Sequence, residues 1–243
     1  MKKFALVCSL VLSALFVEAG PKVSILGDSY STFTGYVKPE TNAIWYHADK
    51  KVAGVESVDQ TWWMQVVKGV DGTLEVNNSY SGSTICTTGY GGQDATDSCF
   101  VTRAEALGKP DVILVCGGTN DAWAQSPVGQ FKYGGWKPDD LKSFRPACAK
   151  MFVVLKKKYP RAKILFVLNN GLGSAIATSA VEICNHYKIP VVNIPDSCDK
   201  QNGHPTVAGM KTISDAVLEY MKKNAQRYGI KAVKGQKSDS PRG

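Results

Sequence analysis

Polar residues suited to acyl transfer follow several of the apolar runs in this chain. Ser29 comes directly after the first run, and His204 lies just before the last amphipathic segment. A serine hydroxyl is a weak nucleophile unless a nearby base such as imidazole activates it. Gly82 and Asn120 follow two other runs, and a backbone N–H or a side-chain amide is the kind of donor that stabilises an oxyanion. The four residues therefore predict a nucleophile, a base and an oxyanion hole.

The elements that must position these residues alternate between strands and helices. Two continuous apolar stretches, Val112–Val115 and Ile164–Val167, are typical of strands covered on both faces. The alternation predicts an α/β sandwich with a five-stranded, doubly wound parallel sheet. The predicted strands are Lys22–Leu26, Leu74–Asn77, Asp111–Cys116, Lys163–Leu168 and Pro190–Ile194. The predicted helices are Thr61–Val70, Pro138–Lys158, Ser174–Tyr187 and Thr206–Tyr228.

This arrangement predicts where the site lies. Open parallel sheets bind ligands beyond the carboxyl ends of their strands, which is where Ser29, Gly82 and Asn120 fall. Each residue also has a simpler interpretation, because Gly-Asp-Ser is a common turn tripeptide and a histidine before a helix can serve only its start. The other histidines, His47 and His186, follow no predicted strand and are interpreted as structural.

Four sequence blocks resemble those of the SGNH hydrolase superfamily, also called GDSL-type esterases and lipases. They occur in the family's order and at similar separations, as Gly27-Asp28-Ser29-x-Ser31, Gly82, Gly118-Thr119-Asn120-Asp121 and His204-Pro205. The resemblance implies a flavodoxin-like three-layer αβα sandwich. It also implies Ser29 as nucleophile, His204 as base, and an oxyanion hole made of the Ser29 and Gly82 N–H groups and the Asn120 amide. This chemistry uses neither a metal nor another cofactor.

The residue that orients His204 departs from the family pattern. The family usually has an aspartate three residues before the histidine, whereas this chain has Gln201 there. Asp199, two residues further upstream, is the expected orienting acid if the loop brings its carboxylate to the imidazole. Asp196 and a backbone carbonyl are the alternatives, and a carbonyl would leave a Ser-His dyad.

The two ends of the chain have compositions unlike the rest. A basic start and the apolar run Phe4–Val17 predict a signal peptide over residues 1–19, with an uncleaved anchor as the alternative. The catalytic domain is expected over residues 20–230, and residues 231–243 form a polar tail expected to be disordered. The mature protein is expected to be secreted or periplasmic, without stable membrane insertion.

Charge and cysteine content limit the partners. The chain carries a net charge of +8 but has no nucleic-acid-binding motif. Its densest cluster, Lys156-Lys157-Lys158, is interpreted as a solvated helix end, so no nucleic-acid partner is expected. The protein is also expected to be a monomer. An even number of cysteines outside the leader permits disulfides. Cys86 and Cys99 are the easiest local pair, whereas Cys116 is expected to be a buried free thiol.

The expected function is a serine esterase that hydrolyses carboxylic esters through an acyl-enzyme. Exported single-domain members of the resembling family often deacylate carbohydrates, so the expected substrate is an acylated glycan or small molecule, for example an acetylated sugar. The alternatives are a lysophospholipase or thioesterase acting on lipids, and a non-catalytic glycan-binding protein on the same scaffold. Aromatic residues in loops could frame the cleft, namely Trp45, Tyr46, Tyr133 and Trp136, whereas Trp62 and Trp63 are expected in the core.

Overall fold

Five parallel strands form the central sheet of the protein. The computed structural model describes residues 20–169, 171–172 and 174–230, so the predicted leader and tail lie outside the described residues. The sheet has the strand order β2-β1-β3-β4-β5. All five predicted strands are confirmed, as β1 (Lys22–Gly27), β2 (Thr73–Ser79), β3 (Val112–Cys116), β4 (Lys163–Asn169) and β5 (Val191–Ile194).

Helices cover both faces of this sheet. In chain order they are α1 (Trp62–Gly69), α2 (Phe100–Arg103), α3 (Thr119–Trp123), α4 (Phe144–Lys158), α5 (Ser174–Tyr187), α6 (Val207–Lys223) and α7 (Ala225–Tyr228). Successive residues of β3 point to opposite faces: Leu114 packs in the core under α1 and α6, whereas Ile113 and Val115 pack in the core under α4 and α5. Burial on both faces explains the unbroken apolar runs. The predicted three-layer αβα sandwich is confirmed.

Two predicted helices are shorter than expected. The segment Pro138–Lys158 divides into a 3₁₀ turn, Pro138–Lys142, and α4, with Ser143 extended between them. Pro146 explains this break, because a proline ring is tolerated only in the first turn of a helix. The segment predicted as Thr206–Tyr228 likewise divides into α6 and α7 at Asn224.

A small hairpin follows the sheet and was not predicted. Its antiparallel strands are β6 (Lys200–Gln201) and β7 (His204–Pro205). The two-residue loop between them, Asn202-Gly203, has φ values of 50° and 78°. Asn-Gly is the preferred dipeptide of two-residue hairpin loops whose central residues both have positive φ. That dipeptide was the available sequence signal, and the hairpin is the element that presents His204.

The cysteines outside the predicted leader are all buried free thiols. The Cys86–Cys99 pair that the sequence permits is therefore not a disulfide in the structure. Each thiol instead lies 3.4 Å from a backbone carbonyl near it in sequence, Thr88 for Cys86 and Thr96 for Cys99. The prediction for Cys116 is confirmed, because it is a buried free thiol.

Within residues 20–169, 171–172 and 174–230, no helix has both the length and the apolarity that a membrane span requires.

Candidate active site

Ser29 lies in a tight turn directly after β1. The 3₁₀ turn Ser29–Ser31 is capped by Asp28, whose Oδ1 accepts the Tyr30 N–H at 3.0 Å. Gly27 is required here, because a Cβ at this position would lie 2.5 Å from the Ser31 side chain. The first N–H of a helical turn has no acceptor within the turn. The fold therefore presents both the Ser29 hydroxyl and its N–H at the carboxyl edge of the sheet.

His204 and Ser29 are hydrogen-bonded, although 175 residues separate them in sequence. The distance from His204 Nε2 to Ser29 Oγ is 2.9 Å, and His204 Nδ1 lies 3.0 Å from the carbonyl oxygen of Asn202. A carbonyl only accepts hydrogen bonds, so Nδ1 carries the proton. Nε2 is then the unprotonated nitrogen and accepts the serine hydroxyl. Burial lowers the pKa of His204, against the opposing effect of the Asn202 carbonyl, which favours this neutral form.

The prediction that Asp199 orients His204 is wrong in geometry. Asp199 Oδ2 instead accepts the Thr206 hydroxyl at 2.6 Å, and the Asp199 carbonyl accepts the Thr206 N–H at 3.0 Å. The hairpin explains the difference, because Gln201 pairs with His204. Asp199 is thus two residues, roughly 7 Å, further along the strand. The backbone carbonyl, one of the two alternatives from the sequence, occupies the position of the acid.

Asp199→Asn is accordingly expected to leave kcat within about threefold of the wild-type value. In a triad, loss of the acid typically costs about 10⁴-fold in kcat. Steady-state esterase kinetics on both proteins distinguish these outcomes. An asparagine at this position retains an oxygen that can accept the Thr206 hydroxyl, so the hairpin is preserved in the variant. A loss of several thousandfold would return the orienting role to Asp199.

Two buried tyrosines fasten the hairpin to the rest of the site. The Tyr30 hydroxyl, next to the nucleophile, donates to the Gly203 carbonyl at 2.6 Å, and the Tyr46 hydroxyl donates to the Pro205 carbonyl at 2.7 Å. Burial raises the pKa of both phenols above the ordinary value, so both stay protonated donors. These two hydrogen bonds hold the hairpin against the rest of the site, and they therefore help to set the distance between Ser29 and His204.

Asn120 is held at both ends of its amide. It lies in α3, which begins after Gly118. The φ of Gly118 is +94°, a value that favours glycine. Asn120 Nδ2 donates to the Ser83 carbonyl at 3.0 Å, and Asn120 Oδ1 accepts the Tyr90 hydroxyl at 2.6 Å. The Ser83 carbonyl cannot donate, so it fixes which end of the amide is nitrogen. One N–H of Asn120 remains for a ligand.

The loop after β2 carries Gly82 at an open turn. Gly82 has a φ of +82°, and a Cβ there would meet no atom within 4 Å. The neighbouring backbone is anchored by Asp121, which accepts the Ile85 and Cys86 N–H groups at 2.8 and 3.2 Å. Burial raises the pKa of Asp121 to about 6, and those two donors oppose the rise. Asp121 therefore fixes the loop that carries Gly82.

A buried arginine connects the first two blocks of the site. Arg103 donates to the Gly27 carbonyl at 3.1 Å and to Ser83 Oγ at 2.7 Å, and it also bonds the Asn78 carbonyl. Its charge lies near Asp28, whose pKa burial raises to about 7. Asp28 Oδ2 is buried and has no hydrogen-bond partner within the described part of the chain. Asp28 therefore braces the turn that carries Ser29, through the hydrogen bond that it accepts from the Tyr30 N–H.

Aromatic rings surround the imidazole of His204. Trp45 stacks on it with ring centroids 3.8 Å apart and planes 12° apart, whereas Trp123 meets it edge-on at 5.8 Å. Of the other loop aromatics that could frame the cleft, Tyr46 is fully buried, and Tyr133 and Trp136 do not contact the Ser29–His204 pair. Tyr133 stacks on His186, and Trp136 packs beside α4.

The remaining aromatic and histidine predictions agree with the structure. Trp62 and Trp63 are fully buried core residues, as predicted. His47 bonds Thr34 at 2.7 Å and does not contact the Ser29–His204 pair. The sequence reasoning did not identify Tyr30, Tyr90, Arg103 or Trp123 as residues of the site. Tyr30 lies inside the Gly27–Ser31 block and Trp123 lies shortly after Asn120, so their closeness to the motifs was the available signal. The sequence around Tyr90 and Arg103 gave no such signal.

Comparisons with known proteins agree with this geometry. The family model described as GDSL-like Lipase/Acylhydrolase matches residues 21–221. A GDSL-like lipase structure from Bacteroides ovatus is 46% identical, with a TM-score of 0.83, over 85% of this chain and 100% of its own. One from Bacteroides uniformis is 46% identical, with a TM-score of 0.81, over 86% and 99%.

More distant structures share the fold alone. An acetyl xylan esterase from the rumen bacterium Butyrivibrio proteoclasticus is 15% identical, with a TM-score of 0.54, over 85% of this chain and 65% of its own. A search of curated proteins gave no significant match. The matched region of the family model extends from the strand before Ser29 to α6, beyond His204. The chain therefore belongs to the GDSL-like lipase/acylhydrolase family and is a carboxylic ester hydrolase.

Proposed function

We propose that the protein is an exported serine esterase that removes acetyl or similarly short acyl groups from carbohydrate. The observation that carries the mechanism is the 2.9 Å hydrogen bond between Ser29 Oγ and the unprotonated Nε2 of His204. A nucleophile and a base within hydrogen-bond reach, with the base oriented by a third group, is the arrangement that nucleophilic catalysis requires. Here the Asn202 carbonyl supplies the third group.

The first half of the proposed reaction transfers the acyl group to the enzyme. Ser29 Oγ attacks the ester carbonyl carbon while its proton passes to His204 Nε2. The negative charge develops on the carbonyl oxygen, toward which the Ser29 N–H, the Gly82 N–H and the Asn120 amide donate. The tetrahedral intermediate then expels the alcohol, whose oxygen takes the proton from His204. An acyl-Ser29 ester remains.

The second half reverses these roles with water as the nucleophile. His204 Nε2 accepts a proton from the water as the water oxygen attacks the acyl-serine carbonyl. Collapse of the second intermediate returns that proton to Ser29 Oγ and releases the carboxylic acid. The imidazole is protonated for part of each half-reaction, so its environment must tolerate a transient positive charge.

Exposed rings beside the catalytic pair support a sugar substrate. Trp123 is 43% exposed and contacts His204 edge-on, and Tyr90 is 42% exposed and bonds Asn120. Aromatic faces combine a flat apolar body with specific geometry, which suits the faces of sugar rings. The acetyl xylan esterase of similar fold acts on acetylated xylan by its description. The leader predicted over residues 1–19 supports export of the protein to a compartment that contains such polymers.

A substrate comparison tests this proposal. Acetate release from acetylated xylo-oligosaccharides is measured beside hydrolysis of p-nitrophenyl acetate and of a long-chain p-nitrophenyl ester, with Ser29→Ala as the matched control. We expect release of acetate that depends on Ser29, and faster hydrolysis of the short ester than of the long one. Preference for the long ester would favour the lipid hydrolase, and glycan binding without turnover would favour the binding protein.

A further inference from the structure

The imidazole of His204 lacks the negative partner that balances its charge in a triad. Nδ1 donates to the neutral carbonyl of Asn202 at 3.0 Å. The ionisable groups on the elements around the ring form no hydrogen bond or ion pair with it within the described residues, namely Asp28, Tyr30, Asp121, Asp199 and Lys200. Some other group must therefore stabilise the imidazolium that forms during turnover.

One face of the imidazole is covered by the indole of Trp45. The two ring centroids are 3.8 Å apart and the planes are 12° from parallel. A cation within about 6 Å of an indole centroid is attracted by the negative face of the ring, and indole is the strongest of the aromatic side chains in this respect. Trp123 lies further from the imidazole, with ring centroids 5.8 Å apart and planes 68° apart, so Trp45 is the nearer and the stacked ring.

The position of Trp45 is tied to the nucleophile as well as to the base. Its backbone N–H donates to Thr32 Oγ1 at 2.9 Å, and the Thr32 hydroxyl donates in turn to the Ser29 carbonyl at 3.1 Å. The indole Nε1 is buried and has no hydrogen-bond partner within the described chain. The ring is thus held by packing and by its backbone, and it meets His204 through its π face.

We propose that Trp45 is a positioning residue that supplies part of the orientation and charge stabilisation that a carboxylate gives the histidine of a triad. Its indole fixes the plane of the His204 ring and stabilises the imidazolium by a cation–π contact. The effect of this contact on catalysis rests on the proposed function. Its effect on the protonation of His204 does not depend on whether an ester is hydrolysed.

Site-specific fluorination of the indole tests the proposal with little change in shape. Tryptophans that carry one, two, three or four fluorine atoms are placed at position 45, since each added fluorine weakens the negative face of the ring. Fluorine also acidifies the indole N–H, but that group makes no hydrogen bond to any residue that the structure describes. We expect kcat to fall stepwise by about 3- to 30-fold across the series. The same series at Trp136, which packs beside α4 and does not contact His204, is the control and is expected to leave kcat unchanged.

The protonation of His204 gives a second readout that does not depend on turnover. The chain has only three histidines, so ¹⁵N NMR can follow each ring during a pH titration. Burial already lowers the pKa of His204, and weakening a contact that favours the charged form must lower it further. We expect the His204 pKa to fall stepwise with fluorine content at position 45 and to stay constant when the same series is placed at position 136.

The two readouts separate the possible failures. If no ester is hydrolysed but the His204 pKa falls with fluorination, the proposed function is wrong and the Trp45 contact stands. If wild-type protein is active and both kcat and the His204 pKa are constant across the series, the cation–π role is wrong. Trp45→Phe provides a conventional comparison and is expected to retain more activity than Trp45→Leu, because only phenylalanine keeps an aromatic face.

Discussion

Ser29→Ala is expected to lower kcat for ester hydrolysis by about 10⁴- to 10⁶-fold. Removing the nucleophile of a serine hydrolase costs roughly this much, and the residual rate comes from the oxyanion hole and substrate binding. His204→Ala should cause a similar loss, and the double variant should be little worse than either single variant. That lack of additivity is expected because the hydroxyl and Nε2 act as one hydrogen-bonded unit, 2.9 Å apart.

The matched control is Ser214→Ala. Ser214 is also a buried serine, but it lies in α6 and bonds Gln65 at 2.9 Å, away from the site. We expect its kcat to equal that of the wild type. Circular dichroism of all variants verifies that the fold is kept. Turnover by Ser29→Ala at a tenth of the wild-type rate or more would exclude Ser29 as the nucleophile.

Asn120→Ala is expected to lower kcat by about 100- to 1,000-fold while KM changes little. An oxyanion donor acts on charge that develops only in the transition state, and loss of one donor typically has this effect. Tyr90→Phe should act in the same direction with a smaller loss of about 3- to 30-fold, since the hydroxyl only orients and polarises the amide at 2.6 Å.

A double-mutant cycle tests whether Tyr90 acts through Asn120. In the Asn120→Ala background, Tyr90→Phe should have almost no further effect on kcat, because the amide that the phenol orients is gone. Tyr36→Phe is the control, since Tyr36 is similarly exposed but packs against Trp63. Independent, additive effects of the two substitutions would show that Tyr90 acts on the substrate or on the loop instead.

The sheet could be predicted from sequence because its signal is local. The runs around Val112 and Ile164 are apolar at every position, and strands buried on both faces require this. The helix boundary near Pro146 was predicted less well. The limit that a proline places on a helix is also a local signal, but the acidic segment before Pro146 resembles a helix start as well. Ser29, Gly82, Asn120 and His204 were identified as candidates because strand ends and short motifs coincide at those positions.

The orientation of His204 could not be predicted, because it depends on hairpin register. Two carboxylates lie within eight residues upstream of His204, and sequence distance suggested that Asp199 could reach it. The Asn-Gly loop pairs Gln201 with His204 and turns the Asn202 carbonyl toward Nδ1. Tyr90 and Trp45 come from loops whose paths no periodic pattern specifies, so their contacts with Asn120 and His204 needed the three-dimensional structure.

The central claim is that Ser29 is the activated nucleophile of an ester hydrolase, and covalent labelling tests it most directly. A p-nitrophenyl alkylphosphonate forms a stable adduct with an activated serine, and peptide mass spectrometry locates that adduct. We predict one adduct per chain, on the peptide that contains Ser29, formed in step with the loss of esterase activity and absent from His204→Ala. Complete inactivation with the adduct on another residue, or full activity with Ser29 labelled, would contradict it.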